Sequence, residues 1–375
     1  MCLVPAMKPL RVVIAGAGAT IASTHLRALA AIGAKIVGVH DIDAARAQRV
    51  AQELACQAHH SLESLLREPA DLAVVLTPHP FHAEIAVACL AAGRHVLVEK
   101  PIADEVAQAD RMVFEARRQG RLLAVALQHR THPEVQAARE LIQRGALGHL
   151  QRADLLATCV RRATYFQVAP WRGSWRGEGG GVVINQAQHD LDLLCDLAGV
   201  ARRVVGWTST RVHSIEAEDT GIGLVEWPNG LVGSIHVSTC EVDESQRIEI
   251  TGTAGRLRLL PGRLEVIRNA IDVRDFVLSP GGPFDHPATG PLEVITPSSD
   301  GAAEPGHSLI YRNLVEAIAG RAPLIAPGEQ AVVALELANA LQYSSAIQAA
   351  VDLPLDRTAY AELLAERRRA GMAHH

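Results

Sequence analysis

Lys100 closes a short apolar run in Gly93-Arg94-His95-Val96-Leu97-Val98-Glu99-Lys100-Pro101. Such a run forms a strand buried on both faces of a parallel sheet, which puts Glu99, Lys100 and Pro101 at its carboxyl end. Ligands of open α/β sheets bind outside the strand carboxyl ends, so an ammonium there can reach a substrate or a cofactor. The other reading is a solvated strand exit. Farther along, Asn185 and His189 stand four apart and Asp192 three beyond, after Gly179-Gly180-Gly181. Residues at i and i+4 share one face of a helix start, and a polar face on an otherwise apolar helix looks into a cleft. Imidazole is the one group of this set that titrates near neutrality, which suits His189 to proton transfer, whereas Asn185 cannot deprotonate.

The elements that must position these groups begin with a strand over 10–15, the turn Gly16-Ala17-Gly18-Ala19-Thr20-Ile21 and a helix over 23–31. Strand, glycine turn and helix in that order are what a dinucleotide fold uses: Gly16 allows the tight turn, Gly18 the backbone approach to a pyrophosphate. The third position of the turn carries Ile21 instead of glycine or alanine. A second strand over 35–41 ends in Asp41, whose carboxylate can accept both adenosine ribose hydroxyls and repels a 2′-phosphate, favouring NAD over NADP. Arg46 stands close enough to blur that preference, and Asp41 could instead cap the helix over 44–54, a task Asp43 serves equally well. Strand-helix units over 71–76 with 83–92 and 94–98 with 105–119, then a strand over 122–127, imply a parallel sheet with right-handed crossovers. Between the first of these strands and its helix, Thr77-Pro78-His79-Pro80-Phe81-His82 is placed to line a nicotinamide ribose, with His82 read as a helix-start residue in preference to a catalyst.

The glycine turn, Asp41, the Thr77-Pro78-x-Pro80-x-His82 loop and above all Val98-Glu99-Lys100-Pro101 resemble the Gfo/Idh/MocA oxidoreductases, the glucose-fructose oxidoreductase and inositol dehydrogenase superfamily, over nearly the whole chain. The implied fold is α/β: a Rossmann NAD-binding domain over 1–128, then an α+β substrate and oligomerisation domain over 129–375 with a large open, mostly antiparallel sheet, the last helix packing back on the first domain. The family pattern has an aspartate, a histidine four on and an aspartate three further; here they are Asn185, His189 and Asp192. Asparagine preceded by Trp171-Arg172-Gly173-Ser174-Trp175 and the triple glycine looks more like the branch of nucleotide-sugar 3-dehydrogenases and related sugar dehydrogenases.

The resemblance implies oxidation of a secondary hydroxyl on a sugar, sugar derivative or cyclitol, with C3 of a sugar among the candidate positions. His189 would take the hydroxyl proton, Asn185 would bind a hydroxyl or fix the imidazole, and Lys100 would hydrogen-bond the oxygen as hydride leaves for the nicotinamide. Cofactor contacts then fall to Gly16, Gly18, Thr20, Ile21, Asp41, Thr77, Pro78, His82, Glu99, Lys100, Gln128, Trp171 and Arg172. Substrate contacts fall to Lys100, Arg130, Arg162, Tyr165, Asn185, His189, Asp192 and His307. Two other readings stay open: a glycoside-cleaving enzyme that oxidises C3 transiently, and a non-catalytic NAD-binding regulator.

Tyr165, Trp171 and Trp175 put three rings within eleven residues of a chain that is 3% aromatic, the mark of a loop that stacks on a sugar or covers a cofactor. Arg161 and Arg162 precede them and either meet an anionic substrate or lie solvated. Strands are expected over 204–212, 220–227, 231–240, 246–252, 255–260 and 264–268, with hairpin turns at Pro228-Asn229-Gly230 and Thr253-Ala254-Gly255. The free face of that sheet predicts a homodimer or homotetramer. Helices follow over 308–320, 328–349 and 357–370, after a Pro-, Gly- and Ser-rich surface excursion over 275–306.

A net charge of −5 and a pI near 6.4 give no basic footprint for nucleic acid. Six cysteines without a CxxC suggest neither a disulfide framework nor a zinc site, and no metal is expected. A reducing cytoplasm is the simplest compartment. No transmembrane run is seen, and Met1 to Ala6 lacks the basic start and long apolar core of a signal peptide, with Met7 an alternative start.

Overall fold

Strands β1 (Arg11–Ala15), β2 (Lys35–His40), β3 (Gln57–His59), β4 (Leu72–Val75), β5 (His95–Val98) and β6 (Leu123–Val125) pair in parallel in the order β3-β2-β1-β4-β5-β6. Val12, Val13, Ile14, Val74, Val75, Val96 and Val98 are all fully buried, which is why these strands read as unbroken apolar runs. The order reverses between β1 and β4, the switch point where doubly wound sheets bind dinucleotides. The computed structural model describes residues 8–169, 171–242, 246–296 and 306–372, so the readings of Met1 to Met7 lie outside the described residues.

The helices over Ala22–Ala31, Ala44–Leu54, His82–Ala91 and Val106–Gln119 stand within a residue or so of expectation. One unit was missed between them. Gln57–His59 pairs with β2 and is followed by a helix over Leu62–Arg67. A three-residue strand with a single buried side chain, His59, carries no hydrophobic period to detect.

A second sheet has nine strands: β7 (Leu150–Thr158), β8 (Arg203–Ser209), β9 (Thr220–Glu226), β10 (Val232–Ser238), β11 (Gln246–Gly252), β12 (Gly255–Leu260), β13 (Arg263–Arg268), β14 (Glu293–Ile295) and β15 (Val351–Asp352). Their order is β14-β13-β12-β11-β7-β10-β9-β8-β15. Every pair is antiparallel except β7 with β10. The central β7 was not expected: Gln151, Arg152 and Asp154 break its apolar alternation. The excursion expected over 275–306 holds a helix over Val273–Leu278 at its start and the exposed β14, which pairs with β13. Its part over 297–305 lies outside the described residues.

The chain divides into two compact units. The first holds the described residues up to 103, 108–128 and 306–331; the second holds 104–107, 129–296 and the described residues from 332 on. The segment 306–331 thus belongs with the first unit and the last helix with the second. Arg357–Met372 packs within the second unit, where Arg367 lies 5.5 Å over the Trp175 ring and Arg368 pairs with Asp104.

Candidate active site

In the first unit the glycine turn begins with Gly16, which adopts φ +84° because a Cβ there would come within 2.8 Å of the backbone at Leu76 and Thr77. Its N–H donates to the His40 carbonyl at 2.8 Å, so the carboxyl ends of β1, β2 and β4 converge on one turn. The helix that follows starts at Ala22 with no side-chain cap and no acidic residue in its first turn. A dipole end that no acidic side chain offsets favours a phosphate there. Thr20 is exposed and Ile21 half-buried at the helix start, so the unusual Ile21 leaves the turn intact.

Asp41 does not cap the next helix. Asp43 does, accepting from the amides of Ala45 and Arg46 at 3.0 and 3.1 Å. Asp41 instead accepts from Gly18 N–H at 2.8 Å through Oδ2 and from Asp43 N–H at 2.9 Å through Oδ1. A carboxylate tied to the second glycine of the turn stands where a ribose diol would meet it. At the end of β4, Thr77 Oγ1 is buried and makes no hydrogen bond within the described residues, as expected of a loop that awaits a ligand. Glycine turn, helix start without an acidic residue, Asp41 and Thr77 together fit a bound dinucleotide.

His82, expected at the cofactor, has both ring nitrogens on backbone carbonyls. It is fully buried, with Nδ1 2.9 Å from the Pro101 carbonyl and Nε2 2.6 Å from the Thr77 carbonyl, so it ties the Thr77-Pro78 loop to the segment after Lys100. Burial pushes its pKa down against the pull of those carbonyls. Lys100 is half-buried at the end of β5, and its N–H donates to Glu99 Oε2 at 3.0 Å. Glu99 Oε1 in turn meets His25 Nε2 at 2.7 Å. His307, expected to touch substrate, belongs to the same unit and lies 3.9 Å from Glu99 with its ring edge-on to His25.

In the second unit, Gly181 lets the chain pass Glu218, whose carbonyl would lie 1.8 Å from any Cβ at that position. The Glu218 carboxylate also accepts from the amides of Gly181 and Val183 at 2.9 and 3.2 Å. The glycine run therefore leads into a series of turns, and the helix begins only at Gln188. Asn185 lies in those turns and not on the helix as expected; His189 is the helix's second residue. The buried Asn185 amide donates to Glu178, which is 1% exposed and also accepts from the Gly173 amide. Glu178 was missed in the sequence, where an acid set between glycines was the available signal.

His189 is half-buried and stacks on His129, with ring centroids 4.1 Å apart and planes at 19°. His129 stacks in turn on His132 at 4.9 Å. The stack restrains the plane of the His189 ring. Nearby in sequence, Arg172 lies 4.3 Å over the Tyr165 ring and 4.6 Å over the Trp171 ring, while Arg161 approaches Tyr165 at 5.3 Å. Gln186 donates to the Tyr165 hydroxyl at 3.2 Å, which joins this cluster to the Asn185 turns. Arg162 is exposed at the start of the short helix Ala163–Gln167, and Gln128 opens a 3-10 turn over Gln128–Thr131.

Arg130 and Asp192, expected at the substrate, are buried against each other. Each is 1% exposed, and they join by two bonds of 2.8 and 2.7 Å, with Asp196 3.7 Å from the same guanidinium. Their charges are spent on each other.

Residues 10–127 match the oxidoreductase family with an NAD-binding Rossmann fold, and residues 135–258 match the GFO/IDH/MocA C-terminal domain. The mouse (Mus musculus) trans-1,2-dihydrobenzene-1,2-diol dehydrogenase is 30% identical over 255 residues, 66% of this chain and 73% of that protein. The 1-carboxy-3-chloro-3,4-dihydroxycyclohexa-1,5-diene dehydrogenase of Comamonas testosteroni is 33% identical over 56% of this chain and 54% of its own. The WlbA dehydrogenase of Bordetella pertussis, solved with NADH and UDP-GlcNAcA, superposes with a TM-score of 0.77 at 28% identity over 93% of this chain and 100% of that one. With the reversed sheet order, the glycine turn and these likenesses in place, the chain belongs to the GFO/IDH/MocA oxidoreductase family.

Proposed function

We propose that the protein is an NAD-dependent dehydrogenase that oxidises a secondary hydroxyl on a polyhydroxylated ring. The observation that carries this reading is His189, half-buried, held in plane by His129 and preceded by an Asn185 amide fixed on Glu178. NAD, when bound, supplies the hydride acceptor, and Gly16, Gly18, Asp41 and Thr77 are the residues that would hold it. His189 takes the hydroxyl proton at a ring nitrogen. Lys100 donates a charged hydrogen bond to the oxygen on which negative charge develops. Asn185 binds a hydroxyl on the same ring or fixes the imidazole. The relatives support a cyclic substrate: their names describe a dihydrodiol, a dihydroxydiene and a nucleotide sugar acid. Two of the three are acids, and Arg161 and Arg172 around Tyr165 are the cations suited to such a charge.

A panel of sugars, uronates, nucleotide-sugars, inositols and cyclic diols, scored by NADH absorbance at about 340 nm, tests the reading. At least one ring alcohol should give steady NADH, and Lys100→Ala should abolish that signal with NAD affinity unchanged. Turnover without net NADH would instead favour transient oxidation and glycoside cleavage. NAD binding with no turnover on any member would favour a regulator.

The oligomer is part of the same proposal. On one face of the second sheet Gly206 and Gly223 meet Leu341 closely, whereas the opposite face leaves Trp207 and Leu224 each 56% exposed. Cross-strand register puts Val205, Trp207, Ile222 and Leu224 on that exposed side, an apolar patch that a second copy would cover. Light scattering should give a multiple of 40.1 kDa for the wild type and a single chain for a Trp207→Glu, Leu224→Glu variant. A wild-type monomer would end this part of the reading. Among the described residues no helix is long and apolar enough to cross a membrane, and all five described cysteines are free, in keeping with a cytoplasmic enzyme.

A further inference from the structure

A buried chain of polar groups in the first unit leads to Lys100 from behind. Tyr311, on the helix Gly306–Ile318, places its hydroxyl 2.8 Å from His25 Nδ1, and His25 Nε2 lies 2.7 Å from Glu99 Oε1. His25 is 0% exposed and Tyr311 1%, so neither contact competes with water. One arrangement of protons satisfies every member. Burial, and then the Glu99 charge, push the Tyr311 phenol well above its ordinary pKa, so the hydroxyl keeps its proton and donates to Nδ1. Nε2 then carries the ring proton and donates to Glu99. The second carboxylate oxygen accepts the Lys100 backbone N–H at 3.0 Å, so both oxygens are taken and the group cannot turn without breaking a bond.

We propose that His25 is a positioning residue for the dehydrogenase: braced by Tyr311, it fixes Glu99 as a carboxylate on the Lys100 backbone amide, and the charge so placed favours the ammonium form of the adjoining lysine side chain. This rests on the role given to Lys100 above. Burial alone would push the Glu99 carboxyl up, yet His25, the nearby His307 and the Lys100 charge hold it well below the usual carboxylate range. Around Glu99 stand His25 on Ala22–Ala31, His82 on His82–Ala91, His307 and Tyr311 on Gly306–Ile318, and Lys100 beside it in the chain. His25 approaches the carboxylate at 2.7 Å and His307 at 3.9 Å. The coupling is reciprocal: whatever Lys100 does to stabilise the carboxylate, the carboxylate does to stabilise the ammonium. A neutral lysine would give a developing alkoxide a far weaker bond.

Lys8, Lys35 and Lys100 are the only lysines in the sequence, so ¹³Cε-lysine labelling yields three resonances, with Lys100 assigned through Lys100→Arg. In Glu99→Gln and His25→Leu the Lys100 titration should fall by about one pH unit or more, and in Tyr311→Phe by less. The alkaline limb of kcat/KM should move with it, and His25→Gln, which keeps an N–H toward Glu99, should restore part of the shift. An unmoved Lys100 titration in folded His25→Leu overturns the proposal. Should that variant fail to fold, Tyr311→Phe decides on the same criterion, since it removes one oxygen only. A shifted titration in a wild type that oxidises no ring alcohol would leave this network standing and remove the dehydrogenase reading; normal oxidation with an unmoved titration would do the reverse.

Discussion

Replacing His189 with alanine lowers kcat for ring-alcohol oxidation by about 10²- to 10⁴-fold and leaves NAD binding little changed, the range expected for loss of a general base. The expectation follows from the geometry of its stack. A ring held 4.1 Å from His129 at 19° has given up rotation about its own plane before substrate arrives, so the proton acceptor is already oriented. His129→Leu keeps the base and removes the stack; its kcat should fall by a smaller factor than that of His189→Ala. The pH profile separates a base from a binding residue. The wild-type rate rises with pH as imidazole loses its proton, and His189→Ala should lose that limb, not merely scale it down. Stopped-flow NADH formation under single-turnover conditions reads the chemical step free of product release. Equal hydride-transfer rates for the two proteins across about pH 6 to 10 would end the assignment.

How much of this could be read from the chain differs between the two units. The glycine turn, Asp41 and the Lys100 motif are local: each is a few residues at the end of an apolar strand, and the βαβ period announces the strand. The same holds for the hairpins at Gly230 and Gly255, which tie β9 to β10 and β11 to β12. What was illegible depends on partners remote in sequence. His25 and Tyr311 stand 286 positions apart, and nothing near either one marks the bond between them. The spacing of Asn185 to His189 is helical, but the close passage of Gly181 over Glu218 leads the segment through turns before the helix starts at Gln188. Charged residues beside a histidine of the Asn185–His189 pattern invite a substrate role, but Arg130 and Asp192, 62 positions apart in sequence, pair with each other in the interior.

That last pairing yields a result as large as the catalytic one, in a different quantity. Asp192→Asn should destabilise the protein by about 3–5 kcal/mol, because it leaves the Arg130 guanidinium buried without its bidentate partner. Asp196 softens the loss only in part: it sits 3.7 Å away and already takes a 2.9 Å bond from Arg139. A buried ion pair is costly to break but adds little over a well-packed apolar pair, so Arg130→Met with Asp192→Leu should recover most of what Asp192→Asn loses. Urea midpoints measured with saturating NAD read the difference, and KM for the ring alcohol should change far less than the midpoint. If Asp192→Asn instead keeps its midpoint and raises KM, Asp192 reaches the substrate after all. Two bonds under 3 Å to Arg130 occupy one lone-pair site on each oxygen, so midpoint and KM measured together separate the ion-pair task from any substrate contact made through the remaining sites.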